Sequence, residues 1–357
     1  MKYDFNDLII EPAIISKIES RKGISYYTNN NKLPLMTAPM DTVINKKNFK
    51  YFIDLKYTVV FPRTIKFKDI LDMYDDGDPF LLEIIKNHFF SISLNEFKDI
   101  CNENYQDLLP KNILVDIANG HMKIIKDLAI KFKEKYPYKI LMIGNIANPE
   151  TYKYYAESQV VDMIRIGIGA GNACLTTKST SIGYPMASLI YDTYQIKKNF
   201  EKENPNKKAP LIIADGGMKE YADIIKGLGL GADQIMIGSL LNKSMESAGD
   251  NFLWGIKLPY NLSKFLYLKG FPIKKYFRGM STKEVQIAMG KDKKNLNTSE
   301  GVIRYRKVEY LLNKWTENLI DYLKSAMSYT NSENLKNFIG QIKFNLITQN
   351  AYNRFNK

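Results

Sequence analysis

Residues 112–145 read NILVDIANGHMKIIKDLAIKFKEKYPYKILMIGN. Two runs of strand length, NILVDI and KILMI, flank a stretch whose apolar residues recur at helical spacing. Ile124, Ile125, Leu128, Ala129 and Phe132 fall on one face with Lys on the other, and Pro137 stops the helix. Runs that are apolar throughout suit parallel strands covered on both sides, so the segment reads as a βαβ unit. The same reading extends outward. LPLMT (33–37), YTVVF (57–61) and HFFSISL (88–94) precede it, and VVDMIRIG (160–167), PLIIAD (210–215) and DQIMIG (233–238) follow. A second helical stretch, EYADIIKGLGL, separates the last two. Eight runs spaced 20 to 45 residues apart predict an α/β fold of the (β/α)₈ TIM-barrel kind, its strands spanning about 33–245. A doubly wound sheet is the rival, and the lack of a dinucleotide fingerprint argues against it. From about 250 to 357 the chain changes character. A polar stretch, MGKDKKNLNTSEG, suggests a mobile flap, and the amphipathic LLNKWTENLIDYLKSAM suggests a helix packing back on the barrel. Residues 1–357 therefore read as one barrel domain with a flap and a C-terminal helical extension.

Composition narrows the function classes. Among 357 residues, 45% are hydrophobic and 25% charged, the balance of a globular chain. No apolar run approaches the ~18 residues a membrane span needs. MKYDFNDLII does not read as a signal peptide, and two cysteines, Cys101 and Cys174, give no disulfide framework. A cytoplasmic protein without a membrane partner is expected. Fifty-one basic against 38 acidic residues give +13, which suits an anionic ligand. The lysines are scattered, and neither zinc-finger spacing nor an RNA-reading strand occurs, so no specific nucleic acid is expected.

Four segments carry candidate chemistry. The sixth run leads into Arg165-Ile166-Gly167-Ile168-Gly169-Ala170-Gly171-Asn172-Ala173-Cys174-Leu175-Thr176-Thr177. Alternate glycines let this backbone turn sharply and deliver a thiol at the carboxyl end of a barrel strand, where barrel enzymes keep their reacting groups. A thiol on such a loop suits a nucleophile. Cys101, in DICNENY, reads as a small buried hydrophobe. The seventh and eighth runs end in Asp215-Gly216-Gly217 and Gly238-Ser239-Leu240. Bare Gly amides there suit a phosphate and Asp215 a sugar diol; tight turns with Asp215 as a helix cap are the alternative. The third segment, Arg278-Gly279-Met280-Ser281 and later Thr298-Ser299-Glu300-Gly301, suits a lid that brings in a carboxylate, whereas on spacing alone Glu300 reads as a surface residue. The fourth is Asp116-Ile117-Ala118-Asn119-Gly120-His121, where an Asp at a strand end can order a ligand. With His88 and His121 the sole histidines, a Ser-His-Asp triad or a His-rich zinc site is not expected.

In this order the segments resemble the IMP dehydrogenase and GMP reductase family of purine nucleotide oxidoreductases. The resemblance runs from Asp4-Phe5-Asn6-Asp7-Leu8 and Ala38-Pro39-Met40-Asp41-Thr42-Val43 to Ser325–Tyr329. It implies a TIM barrel whose cysteine attacks C2 of the purine in a nucleoside monophosphate, with hydride exchanged with a nicotinamide cofactor. Two features favour the reductase side. Only 26 residues (62–87) separate the second and third runs, which leaves no room for the Bateman regulatory domain of IMP dehydrogenases. The lid stretch of 16 residues (283–298) has neither Arg nor Tyr, the pair that activates water in the dehydrogenases. The expected reaction is NADPH-dependent reductive deamination of GMP to IMP and ammonia. The alternatives are IMP dehydrogenase chemistry (NAD-dependent oxidation of IMP to XMP), a related purine-nucleotide oxidoreductase, and a non-catalytic nucleotide- or RNA-binding barrel.

By position, the resemblance implies Cys174 as nucleophile, with Thr176 and Glu300 protonating the departing ammonia. Asn145, Asp215, Gly216, Gly217, Gly238, Ser239, Gly279, Met280, Ser281 and Gly301 would hold the nucleotide. Arg63, Asp116, Ile117, Ala118, Ile168 and Gly169 would contact NADPH, and Ser20 and Arg21 would reach it from a neighbouring subunit of a homotetramer. Gly169, Gly171 and Cys174 would offer carbonyls to a potassium ion. Departures from the family pattern are Ala170 for Pro, Asn172 for a Ser that touches phosphate, and Phe277 for a Tyr that binds phosphate. Leu296-Asn297 stands for Tyr-Arg and Val302 for Lys in the lid.

Overall fold

The computed structural model describes residues 1–67, 69, 87–103, 109–171, 174–290, 292–296, 298–299 and 301–355. Outside the barrel, β1 (Leu8–Glu11) precedes the eight runs, each of which carries one barrel strand. These are β2 (Leu35–Thr37), β3 (Val60–Phe61), β4 (Phe89–Ile92), β5 (Asn112–Asp116), β6 (Ile140–Ile146), β7 (Met163–Ile166), β8 (Leu211–Asp215) and β9 (Gln234–Ile237). Every neighbouring pair is parallel, in the order β2-β9-β8-β7-β6-β5-β4-β3. A parallel bridge from Met36 to Thr58 joins the two ends. There the Thr37 N–H donates to the Thr58 carbonyl at 3.0 Å, and the Val60 N–H to Thr37 Oγ1 at 2.9 Å.

The double apolar character of the strands has a simple cause. Successive side chains point to opposite faces. Met36, Val60, Phe89, Leu114, Met142, Ile213 and Met236 fill the barrel interior. Their strand neighbours Leu35, Phe61, Phe90, Val115, Ile143, Ile212 and Ile235 pack outward against the helices. The helix Lys123–Lys135 buries Ile125, Leu128, Ala129 and Phe132, as its spacing predicts. Ile124 does not join them: at the edge of the apolar stripe it stays 40% exposed.

The tail helix, Leu312–Tyr329, packs back as expected and buries Leu312, Trp315, Leu319, Leu323 and Met327. Trp315 lies between the rings of Tyr221 and Tyr310, with centroids 5.2 and 5.8 Å away. The tail also holds a sheet that the sequence reading did not foresee. It consists of β10 (Asn251–Leu253), β11 (Ile256–Leu258), β12 (Lys274–Arg278) and β13 (Ile303–Lys307), antiparallel in the order β11-β10-β12-β13. Trp254 and Gly255 turn β10 into β11 with φ of 51° and 87°, the left-handed pair that tight hairpins require, and Trp254 is 78% exposed. Within the polar stretch taken as a flap, Lys293–Asn295 form a 3₁₀ turn. Finally β14 (Lys343–Leu346) pairs antiparallel with β1. No helix among the described residues is long and apolar enough to cross a membrane.

Candidate active site

At the carboxyl ends of the barrel strands the loops enclose a cavity of about 640 Å³. Residue parity decides what enters it. Arg165 on β7, Asp116 on β5 and Asp215 on β8 continue the inward series begun by Met163, Leu114 and Ile213. They therefore meet in the last interior layer. Arg165 reaches Asp116 Oδ1 from Nη1 at 2.5 Å and Asp215 Oδ2 from Nη2 at 2.9 Å and from Nε at 3.0 Å. Burial opposes the guanidinium charge, but the two carboxylates more than offset it and raise its pKa. Asn145 Nδ2 donates to Asp215 Oδ2 at 3.0 Å and to the Gly167 carbonyl at 2.6 Å. Arg63 Nε stands 3.2 Å from Asp116 Oδ2, yet it is buried and poorly aligned for a hydrogen bond.

Glycines bring the loops after β7 and β8 together. Gly169 sits at φ 73°, where an added Cβ would lie 1.8 Å from Thr177 Oγ1. That hydroxyl donates to the Ile182 carbonyl at 2.7 Å, which pins the end of the loop. Gly216 sits at φ 88°, where a Cβ would lie 2.9 Å from the Gly171 nitrogen. The Gly217 N–H donates to the Ala170 carbonyl at 3.0 Å. The two loops thus meet backbone to backbone, which only glycine permits.

Cys174 is held on the β7 loop. Its N–H donates to the Gly171 carbonyl at 2.9 Å, and its thiol lies 3.2 Å from Thr176 Oγ1. Gly301 forms an antiparallel bridge with Cys174, so the far end of the lid stretch lies alongside the thiol-bearing residue. Glu300, with Asn172 and Ala173, lies outside the described residues. Cys174, Thr176, Gly169, Gly171 and Ile168 line the cavity from the β7 loop; Asp215, Gly216 and Gly217 line it from the β8 loop. Gly238 and Ser239 after β9 and Gly279, Met280 and Ser281 after β12 contribute a further wall. Asn145, Arg63, Asp116, Ile117 and Ala118 complete the set. Ser20 and Arg21 lie apart, on an exposed 3₁₀ turn that Ser20 caps, and do not line the cavity of the single chain.

Sequence reasoning assigned no role to Arg165, Ser93, Asn95, Met122 or Met218, which also line the cavity. For Arg165 a signal existed: a lone charge within an apolar run, at inward parity. Ser93 had one too, since Ser93 and Glu96 form a capping box that starts the helix Leu94–Asn102 at the cavity rim. Cys101 is half-buried, bonds the Leu128 carbonyl and is pushed up by burial to about 11, which suits its inert reading. His121 binds Thr151 and the Ala147 N–H, while His88 is buried under the Val59 N–H. Among the described residues no cluster of His, Cys, Asp and Glu could hold a metal ion.

Comparison with known proteins assigns the family of the chain. The family model described as IMP dehydrogenase / GMP reductase domain matches residues 107–355. A GMP reductase of Onchocerca volvulus is 25% identical over 99% of this chain and 93% of its own length. GMP reductases of Oceanobacillus iheyensis and Lactobacillus delbrueckii subsp. bulgaricus are 29% and 30% identical, each over 70% of this chain and over 73% and 72% of their own lengths. The chain, an oxidoreductase, thus belongs to the IMP dehydrogenase / GMP reductase family.

Proposed function

We propose that this protein carries out NADPH-dependent reductive deamination of GMP to IMP and ammonia through a covalent Cys174 thioimidate. The observation that carries the reading is a thiol 3.2 Å from a hydroxyl on a glycine-rich loop, at the mouth of a cavity large enough for a nucleotide. Cys174 sulfur adds to C2 of guanine, and the 2-amino group leaves as ammonia after gaining a proton. Thr176 and Glu300 are the groups for that proton transfer. The C2–S bond then breaks as C2 is reduced, and the thiolate returns. NADPH, when bound, supplies the hydride. Arg63 Nε, buried without an aligned acceptor, fits a cofactor contact, and Asp116, Ile117, Ala118, Ile168 and Gly169 are beside the same space.

Toward the substrate, every contact made to Asp215 by Arg165 and Asn145 uses Oδ2, which leaves Oδ1 for a ribose hydroxyl. Gly216, Gly217, Gly238 and Ser239 would receive the phosphate, and Gly279, Met280, Ser281 and Gly301 the base. Carbonyls of Gly169, Gly171 and Cys174 make an all-oxygen donor set, the chemistry a hard cation such as potassium prefers, and that ion would fix the loop. We read residues 1–357 as one barrel domain, working in the cytoplasm as a homotetramer in which Ser20 and Arg21 serve a neighbour's cofactor.

The test is a purified protein supplied with GMP and NADPH, followed by loss of NADPH absorbance. Cys174→Ala should abolish turnover, lowering it by at least about 10³-fold, while nucleotide binding persists. NAD reduction with IMP and no NADPH oxidation with GMP would assign the dehydrogenase reaction instead. Nucleotide binding without turnover in either direction would leave a binding barrel.

A further inference from the structure

The sheet at the cavity mouth sets like charges against each other. Register places Lys275 opposite Arg306 and Phe277 opposite Arg304. Directly opposed residues share a face, so these four side chains lie together, and like charges so placed are destabilising. Of these four only Phe277 lines the cavity, and Arg306 lies directly behind that lining, against Ser239. Lys275 is buried and satisfied by the carbonyls of Ser247 and Gly249 at 2.5 and 3.2 Å. Arg306 is only partly buried. Its guanidinium lies 4.8 Å from the centre of the Phe277 ring and donates from Nη1 to the Ser239 carbonyl at 3.1 Å. Burial and the neighbouring Arg304 both push its pKa below the usual guanidinium value. Glu309, the carboxylate that favours its charge, is held by Lys243 at 3.0 Å. Among the described residues, neither Arg304 nor Arg306 has a carboxylate within ion-pair distance.

What the two arginines lack is a paired anion, and Arg306 borders the Gly238–Ser239 turn read above as a phosphate site. There the chain also carries Phe277, where the resemblance implies a phosphate-binding Tyr hydroxyl. We propose that Arg306, aided by Arg304, supplies the positive charge that recognises the 5′-phosphate of the nucleoside monophosphate. Phe277 then has a positive role as the platform on which the guanidinium stacks. The Ser239 carbonyl fixes one edge of the planar fork and leaves its other N–H groups for phosphate oxygens. This inference rests on the reading that a nucleotide occupies the cavity and adds the residue that selects it over the nucleoside.

Calorimetry tests it without turnover, using IMP and inosine as probes of wild type, Arg306→Gln and Arg306→Lys. Arg306→Gln should weaken IMP binding by about tenfold or more, the loss expected for one charge-assisted hydrogen bond, and leave inosine unmoved. Arg306→Lys should recover part of it. In kinetics the KM for GMP should rise by the same factor and lose salt dependence, with kcat within about threefold and the KM for NADPH unchanged. Equal losses for IMP and inosine, or none for either, overturn the proposal. A change confined to NADPH against NADH overturns it in favour of a cofactor phosphate. Should Arg306→Gln fail to fold, the exposed Arg304→Gln serves, with the same direction and an effect of about two- to fivefold; no change there overturns the proposal. Wild type with no GMP turnover but a clear IMP-over-inosine preference, lost in Arg306→Gln, refutes the reductase reading and leaves Arg306 standing.

Discussion

Replacing Arg165 by Met tests whether the charge network organises the barrel mouth. Met keeps much of the volume and the unbranched stem but removes the cation that bridges Asp116 and Asp215. Breaking a buried ion pair from one side costs about 3–5 kcal/mol, because the partner is left uncompensated. Here two partners are left, but each keeps another contact: Asn145 on Asp215 at 3.0 Å and Arg63 near Asp116 at 3.2 Å. Both aspartates also border a cavity that admits water. A cost near the lower figure, about 3 kcal/mol, follows. With an unfolding entropy of ~2.1 cal/mol/K per residue, 357 residues give about 1.3 °C per kcal/mol. The Tm should therefore fall by about 4 °C in a calorimetric scan. The variant Arg165→Met/Asp116→Asn/Asp215→Asn, with the charges removed together, should recover at least half of that loss. Nucleotide affinity should not recover, since Asp215 is the proposed ribose contact. An Arg165→Met protein within 1 °C of wild type, with unaltered kinetics, would refute the claim that this network holds the site.

Three further expectations follow from single positions. Gly169→Ala adds a methyl 1.8 Å from Thr177 Oγ1 and 2.9 Å from the Thr177 nitrogen, at a φ alanine resists, so activity should drop by about 100-fold or more with the barrel still folded by circular dichroism. His88, neutral and buried, is pulled down to about 3 chiefly by burial, with Lys32 adding repulsion. The unfolded chain takes up a proton below its ordinary 6.5 and the folded one does not, so stability falls as pH drops from 6.5 toward 3 and is indifferent to this group above 6.5. By pH 5 the loss is about 2 kcal/mol, read as a shifted urea midpoint, and His88→Gln should flatten that part of the profile. Trp315→Ala removes the ring between Tyr221 and Tyr310 and should cost about 3–5 kcal/mol of stability.

The barrel was legible because each strand buries both faces: NILVDI and PLIIAD could not serve any structure with a wet side. The site loops were legible for a related reason, since Gly169, Gly216 and Gly217 stand where a side chain cannot, and such positions punctuate a sequence visibly. The tail sheet escaped notice. KKYFR mixes cations with aromatics and shows no clean alternation; IRYRK does alternate, but with large cations in a mostly exposed strand, and neither carries the apolar run that marked the barrel strands. Arg165 was passed over because its meaning lies in two aspartates 49 and 50 residues away, a relation that local spacing cannot express. Ile124 failed for the opposite reason: periodicity marks a stripe but not its edge. The role proposed for Ser20 and Arg21 requires a second chain, and no single-chain pattern encodes it.

The chain has only two indoles, Trp254 and Trp315, and they occupy opposite environments. One stands in water at the tip of a hairpin; the other, on the buried face of the helix Leu312–Tyr329, is sandwiched between two tyrosine rings. Native emission should therefore be a sum of a red and a blue component. An external quencher reaches the first alone, so its Stern–Volmer plot should bend downward and straighten once the helix detaches. Each single-Trp variant would then report one region of the molecule, with no label added.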